Sequence, residues 1–133
     1  MIVDSSAIVA IVHEESEAAR FAVLIAKQSD AKMSAGNYLE TSIVIDSARD
    51  PALSAGLDAL LDRLGVTIAP VTATQAKIAR QAYRDFGKGS GHPARLNFGD
   101  CFAYALATER GEPLLYKGGD FAAAGFAPVV SAG

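Results

Sequence analysis

The sequence predicts an α/β fold with a central parallel sheet and helices on both faces, in a single domain spanning residues 1–133. Two observations carry that prediction. Short apolar or β-branched runs at residues 1–4, 31–34, 66–71 and 113–116 alternate with longer stretches of helical periodicity, and strands separated by helices pair in parallel through right-handed crossovers. Acidic residues also fall just past the strands, Asp4 after the first and Asp120 after the fourth. Folds of this class bind ligands at that end of the sheet.

Taken in order, the first strand leads into Ser5-Ser6, a pair suited to cap a helix reaching about Val12. A second helix begins at Ser16 and ends near Lys27, with Ala18, Phe21, Ala22 and Ile25 on its apolar side. The strand at residues 31–34 is followed by a helix over residues 35–48 carrying Leu39, Ile43, Val44 and Ile45. Asp50-Pro51 opens another, with Leu53, Leu57, Leu60, Leu61 and Leu64, and Gly65 closes it. After the β-branched strand at 66–71 comes a helix over about residues 74–86, whose Lys77, Arg80, Arg84 and Lys88 are spaced to put all four on one face. Residues 87–93 are Gly-rich and read as a mobile loop, and residues 96–106 as a loop that opens an apolar helix ending at Gly111. A strand at 113–116, a Gly118-Gly119 turn presenting Asp120, and an edge strand at 127–130 complete the chain.

Composition excludes several classes. Half the residues are hydrophobic and 20% are charged, as in a soluble globular protein. The single cysteine, Cys101, has no intrachain partner and reads as a buried thiol. Asp4 and His13 interrupt the first apolar run and no cation precedes it, so neither a signal peptide nor a membrane span is expected; a cytoplasmic setting is. The net charge of −3 argues against a polyanionic partner, but its distribution does not. Lys77, Arg80, Arg84, Lys88 and Arg95 stand against Asp85 alone within that segment.

Four acids occupy otherwise apolar surroundings: Asp4, Glu40, Asp100 and Asp120. Taken singly, Asp4 and Asp100 can be helix caps, Glu40 a solvated helix residue and Asp120 a turn residue. Taken together they suggest one shared site, because gathered carboxylates repel unless a cation neutralises them. Oxygen donors without a His or Cys cluster point to Mg²⁺ or Mn²⁺ rather than zinc.

Asp4 after the first strand, Tyr38-Leu39-Glu40, the stretch Leu96-Asn97-Phe98-Gly99-Asp100-Cys101-Phe102-Ala103-Tyr104-Ala105-Leu106-Ala107 and the stretch Pro113-Leu114-Leu115-Tyr116-Lys117-Gly118 leading to Asp120-Phe121 together resemble the PIN-domain ribonucleases, and among them the VapC toxins of bacterial toxin–antitoxin pairs. The resemblance covers nearly the whole chain. It implies a three-layer α/β/α PIN-like fold and an endoribonuclease in which metal-activated water hydrolyses the RNA phosphodiester. Asp4 and Asp100 match the acids that hold the main Mg²⁺ or Mn²⁺, while Glu40 and Asp120 match those that complete the site. Ser6 fits a hydroxyl orienting a carboxylate, with a helix cap as its competing role. The resemblance further implies an RNA substrate, an antitoxin of VapB type that inserts a basic side chain into the acidic pocket, and a homodimer, with Leu53, Leu57, Leu60 and Leu61 as surplus apolar surface.

Lys77, Arg80, Arg84, Lys88 and Arg95 are candidate contacts to the RNA backbone, against a plain solvated face. Three rival readings stand beside this one. A metal-free ribonuclease would use His13 and His92, and a phospho-receiver domain would need paired acids where Ser5-Ser6 follow Asp4. A catalytically silent PIN-like interaction scaffold would have no use for all four acids.

Overall fold

The computed structural model describes residues 1–129. Four strands, β1 (Ile2–Val3), β2 (Ala31–Ser34), β3 (Val66–Ala69) and β4 (Leu114–Leu115), form one sheet in the order β3-β2-β1-β4 with every pairing parallel. The chain steps outward from β1 to β2 to β3 and then crosses back to place β4 on the other side of β1. That reversal makes β1 the switch point of the sheet, where α/β folds open a crevice for ligands.

The helices divide between the faces. Helices α1 (Ser5–Val12), α2 (Ala18–Ala26), α3 (Ala35–Ser47) and α4 (Pro51–Leu64) pack with Val3, Met33 and Leu115. Helices α5 (Ala73–Phe86), α6 (Phe98–Arg110) and α7 (Asp120–Ala123) cover the other face with Ile2, Leu114 and Tyr116. Neighbours in sequence such as Ile2 and Val3, or Leu114 and Leu115, thus serve opposite cores, as the two-residue period of a strand requires. The result is the expected three-layer α/β/α arrangement. Among the described residues no helix is long and apolar enough to cross a membrane.

Several local expectations change. Helix α1 starts before Ala7, where the serine pair would begin it: Asp4 is the N-cap and Ser5 the first helical residue. Helix α2 begins at Ala18 rather than Ser16, and β3 ends at Ala69 because Pro70 has no N–H for a ladder. Residues 127–129 form no strand, and Val130 lies outside the described residues. Lys88 falls beyond the end of α5, so only Lys77, Arg80 and Arg84 share that helix. The Gly-rich segment after α5 is tied at both ends: the Lys88 amide donates to the Leu96 carbonyl (2.9 Å) and the Leu96 amide to that of Phe86 (2.8 Å).

Candidate metal centre

Asp4 leaves β1 at its carboxyl end and is 3% exposed. As N-cap of α1, its Oδ2 accepts from the Ser6 amide (2.9 Å) and the Ser6 hydroxyl (2.6 Å). The Ser6 Oγ in turn accepts from the backbone N–H of Lys117, just past β4, at 2.9 Å. Ser6 therefore links the loops after β1 and β4; it is not the helix cap, which is Asp4, and its hydroxyl instead holds the Asp4 carboxylate. The other oxygen of Asp4, Oδ1, is buried and has no hydrogen-bond partner. Burial pushes the Asp4 carboxyl up to about 6; the Ser6 hydrogen bonds oppose the rise, and the charges of Asp100 and Glu40 add to it.

Asp100 lies in the first turn of α6. It closes a capping box with Asn97: the Asp100 amide donates to Asn97 Oδ1 (2.8 Å) and the Asn97 amide to Asp100 Oδ2 (3.0 Å). The bland reading of Asp100 as a cap is thus correct as far as it goes. Burial also raises its carboxyl above the usual range; the Asn97 hydrogen bond opposes this, the charges of Asp120 and Glu40 reinforce it, and Lys88 opposes it. A carboxylate serving only as a cap has no need of three acidic neighbours.

Glu40, one turn into α3, is partly buried, and its Oε1 accepts from the Ser5 hydroxyl (2.6 Å). Asp120 is exposed at the start of α7. The four acids come from four segments; the charges of Asp100 and Glu40 bear on Asp4, and those of Asp120 and Glu40 on Asp100. Among the described residues, no three His, Cys, Asp or Glu side chains close into a ready-made coordination shell. Asp4 Oδ1 is nevertheless an unsatisfied buried acceptor amid other acids, and an oxygen-only donor set suits a hard divalent ion. The residues present fit such an ion.

The expected cationic residues are all exposed. Lys88 and Arg95 flank the isolated bridge between Gly87 and Leu96, immediately before α6. The two histidines occupy structural positions: His13 ends α1, and His92 packs edge-on against Phe86 (4.8 Å between centroids) while its Nδ1 accepts from the Ala94 amide. Cys101 is buried as expected, and burial holds its thiol near 11. Sequence reasoning missed Ser5 and Asn37, the partners of Glu40. Asn37 stands one helical turn before Glu40, a spacing that was there to be used.

The α4 leucines do not supply the surplus apolar surface. Leu57 and Leu61 are buried in the core, and Leu53 packs against it. The exposed apolar face lies instead on α3 and α6: Leu39 (59% exposed), Ile43 (60%), Val44 and Phe98 (78%). These residues line a groove of about 390 Å³ with Phe102, whose ring meets that of Phe98 at 5.0 Å.

The chain belongs to the PIN-domain family, which it matches over residues 1–127. Its relatives within that family are VapC ribonucleases. It is 55% identical to Ribonuclease VapC28 of Mycobacterium tuberculosis over 91% of each chain, and 50% identical to Ribonuclease VapC42 of the same species over 91% of this chain and 92% of the relative. The fold is also that of the solved VapC20 of M. tuberculosis, described as a sarcin-ricin loop cleaving toxin. The two superpose with a TM-score of 0.74 over 98% of each chain at 22% identity.

Proposed function

We propose that this chain is a metal-dependent endoribonuclease acting as the toxin of a VapBC-type pair. The observation that carries the proposal is the buried, unpartnered Asp4 Oδ1 within reach of the charges of Asp100 and Glu40. Asp4 and Asp100 would hold a Mg²⁺ or Mn²⁺ ion, with Glu40 and Asp120 completing the site. Once bound, such an ion supplies an activated water and neutralises charge developing on the phosphate. Ser6 engages one Asp4 oxygen and leaves the other without a hydrogen-bond partner. The partners that accompany this reading are an RNA substrate and a VapB-type antitoxin offering a basic side chain to the acids, in a cytoplasmic setting. The test is incubation of the purified protein with total RNA, with and without Mg²⁺. Cleavage that needs the metal and vanishes in Asp4→Asn is expected; cleavage that survives chelation contradicts the proposal.

Arg84, Lys88 and Arg95 are proposed to grip the RNA backbone beside Asp100. Replacing all three with Gln is expected to weaken RNA binding and to lower the log–log salt slope by about 2, the loss of three counterion-releasing contacts to a single strand. A filter-binding salt series measures this, and an unchanged slope would assign these residues to a solvated surface.

The homodimer is proposed to form through the α3–α6 face, since a contiguous apolar patch of this kind is costly to leave in water. Ile43→Glu with Leu39→Glu is then expected to convert a dimer to a monomer in sedimentation runs. A wild-type protein that sediments as a monomer removes the idea.

A further inference from the structure

Glu40 is constrained more closely than a helix carboxylate beside a groove requires. Its Oε1 accepts from Ser5 on α1 (2.6 Å) and from Asn37 Nδ2 on its own helix (3.4 Å). The same Nδ2 donates to the Gly99 carbonyl of α6 at 2.9 Å. Asn37 has no exposed surface, and its amide orientation follows from its neighbours. A carboxylate and a carbonyl only accept, so the Nδ2 must face them. Its Oδ1 is thereby turned away, buried and without a partner. An unmet buried acceptor lowers stability, so packing alone does not account for an asparagine here.

Gly99 supplies the third constraint. A Cβ at this residue would stand 1.7 Å from Glu40 Oε2 and 2.4 Å from its Cδ. The carboxylate therefore lies against bare backbone immediately before Asp100. Ser5 follows Asp4 and Gly99 precedes Asp100, so the contacts of one side chain tie together the segments that carry three of the four acids.

We propose that Asn37 is a positioning residue: it fixes Glu40 against the first turn of α6 and thereby sets the spacing of Glu40 from Asp100, while Ser5 sets its spacing from Asp4. The proposal rests on the metal-dependent nuclease reading above. It predicts that these contacts serve ion binding rather than folding.

The test compares wild type, Asn37→Leu and Gly99→Ala by two readouts: calorimetric Mn²⁺ titration without RNA, and metal-free thermal unfolding. Asn37→Leu keeps the γ-branched shape and removes the unmet acceptor, while its larger methyl groups tighten the packing, so the two effects offset and its metal-free Tm is expected to stay near that of wild type. Its Mn²⁺ affinity is expected to fall about 10–100-fold, the usual cost of losing a partner that orients a ligand. Gly99→Ala is expected to weaken Mn²⁺ in the same range by displacing Glu40. If a core variant fails to fold, Ser5→Ala, which removes one hydroxyl, carries the same comparison. Variants that lose metal-free Tm yet bind Mn²⁺ like wild type overturn the proposal. A wild type that neither binds Mn²⁺ nor cleaves RNA instead sinks the nuclease reading, and this proposal with it.

Discussion

Asp4→Asn is expected to abolish RNA cleavage and, at the same time, to make the metal-free protein more stable near neutral pH. The second half follows from the sign of the Asp4 shift. Burial raises this carboxyl to about 6 in the folded protein, from 3.8 as its ordinary value. Between those values the folded state holds more protons than the unfolded state, so stability falls as pH rises through the window. The contribution is fully present below about pH 4 and is lost above about pH 6; the difference is about 3 kcal/mol. Asparagine keeps the acceptor for Ser6 and caps about as well, but carries no charge to desolvate. Its Nδ2 inherits a buried position without a partner, which trims the gain to about 1–2 kcal/mol. Urea unfolding in EDTA at neutral and acidic pH measures this. The variant should lead wild type at neutral pH, and the lead should vanish toward pH 4. Saturating Mn²⁺ should reverse the order, since an ion at about 100 times its Kd adds about 2.7 kcal/mol to wild type alone. A variant less stable than wild type in EDTA would mean that Asp4 is no burden to the metal-free fold.

The second large effect separates the two roles of Asp100. Asn97→Ala and Asp100→Ala each break the capping box, and each should cost about 1 kcal/mol of stability. Only Asp100→Ala removes a carboxylate from the acidic site. Its cleavage rate is expected to fall by about a thousandfold or more, whereas Asn97→Ala should stay within about tenfold of wild type. Initial rates on one RNA, read beside thermal melts, decide the matter. Equal losses of rate in the two variants would reduce Asp100 to a cap.

Much of this was legible in the sequence because its signals are local. The β-branched run before Pro70, the Gly65 and Gly111 helix ends and the placement of Asp4 after an apolar strand each state a backbone preference within a few residues. The four acids stood out for a different reason: carboxylates in an apolar stretch of sequence are costly, and that cost suggests a common use, though Asp120 proves exposed. What stayed hidden depends on tertiary placement. The α4 leucines and the α3 apolar residues share one periodicity, and only packing reveals that Leu57 and Leu61 enter the core while Leu39 and Ile43 face solvent. The helix-start error at Ser5 has the same origin, since Asp, Ser and Ser in succession all cap well and tertiary contacts choose among them. Ser5 is then free to reach Glu40 across to α3. The role of Gly99 could not be read from its own neighbours, because the side chain that requires it comes from another helix.

The central claim is that the fold gathers Asp4, Asp100, Glu40 and Asp120 to hold a divalent ion. Anomalous diffraction from crystals soaked in Mn²⁺ tests it most directly. The account predicts a peak in direct contact with the carboxylates of Asp4 and Asp100, absent in Asp4→Asn. A peak confined to other residues, or none at a concentration that supports cleavage, would contradict it.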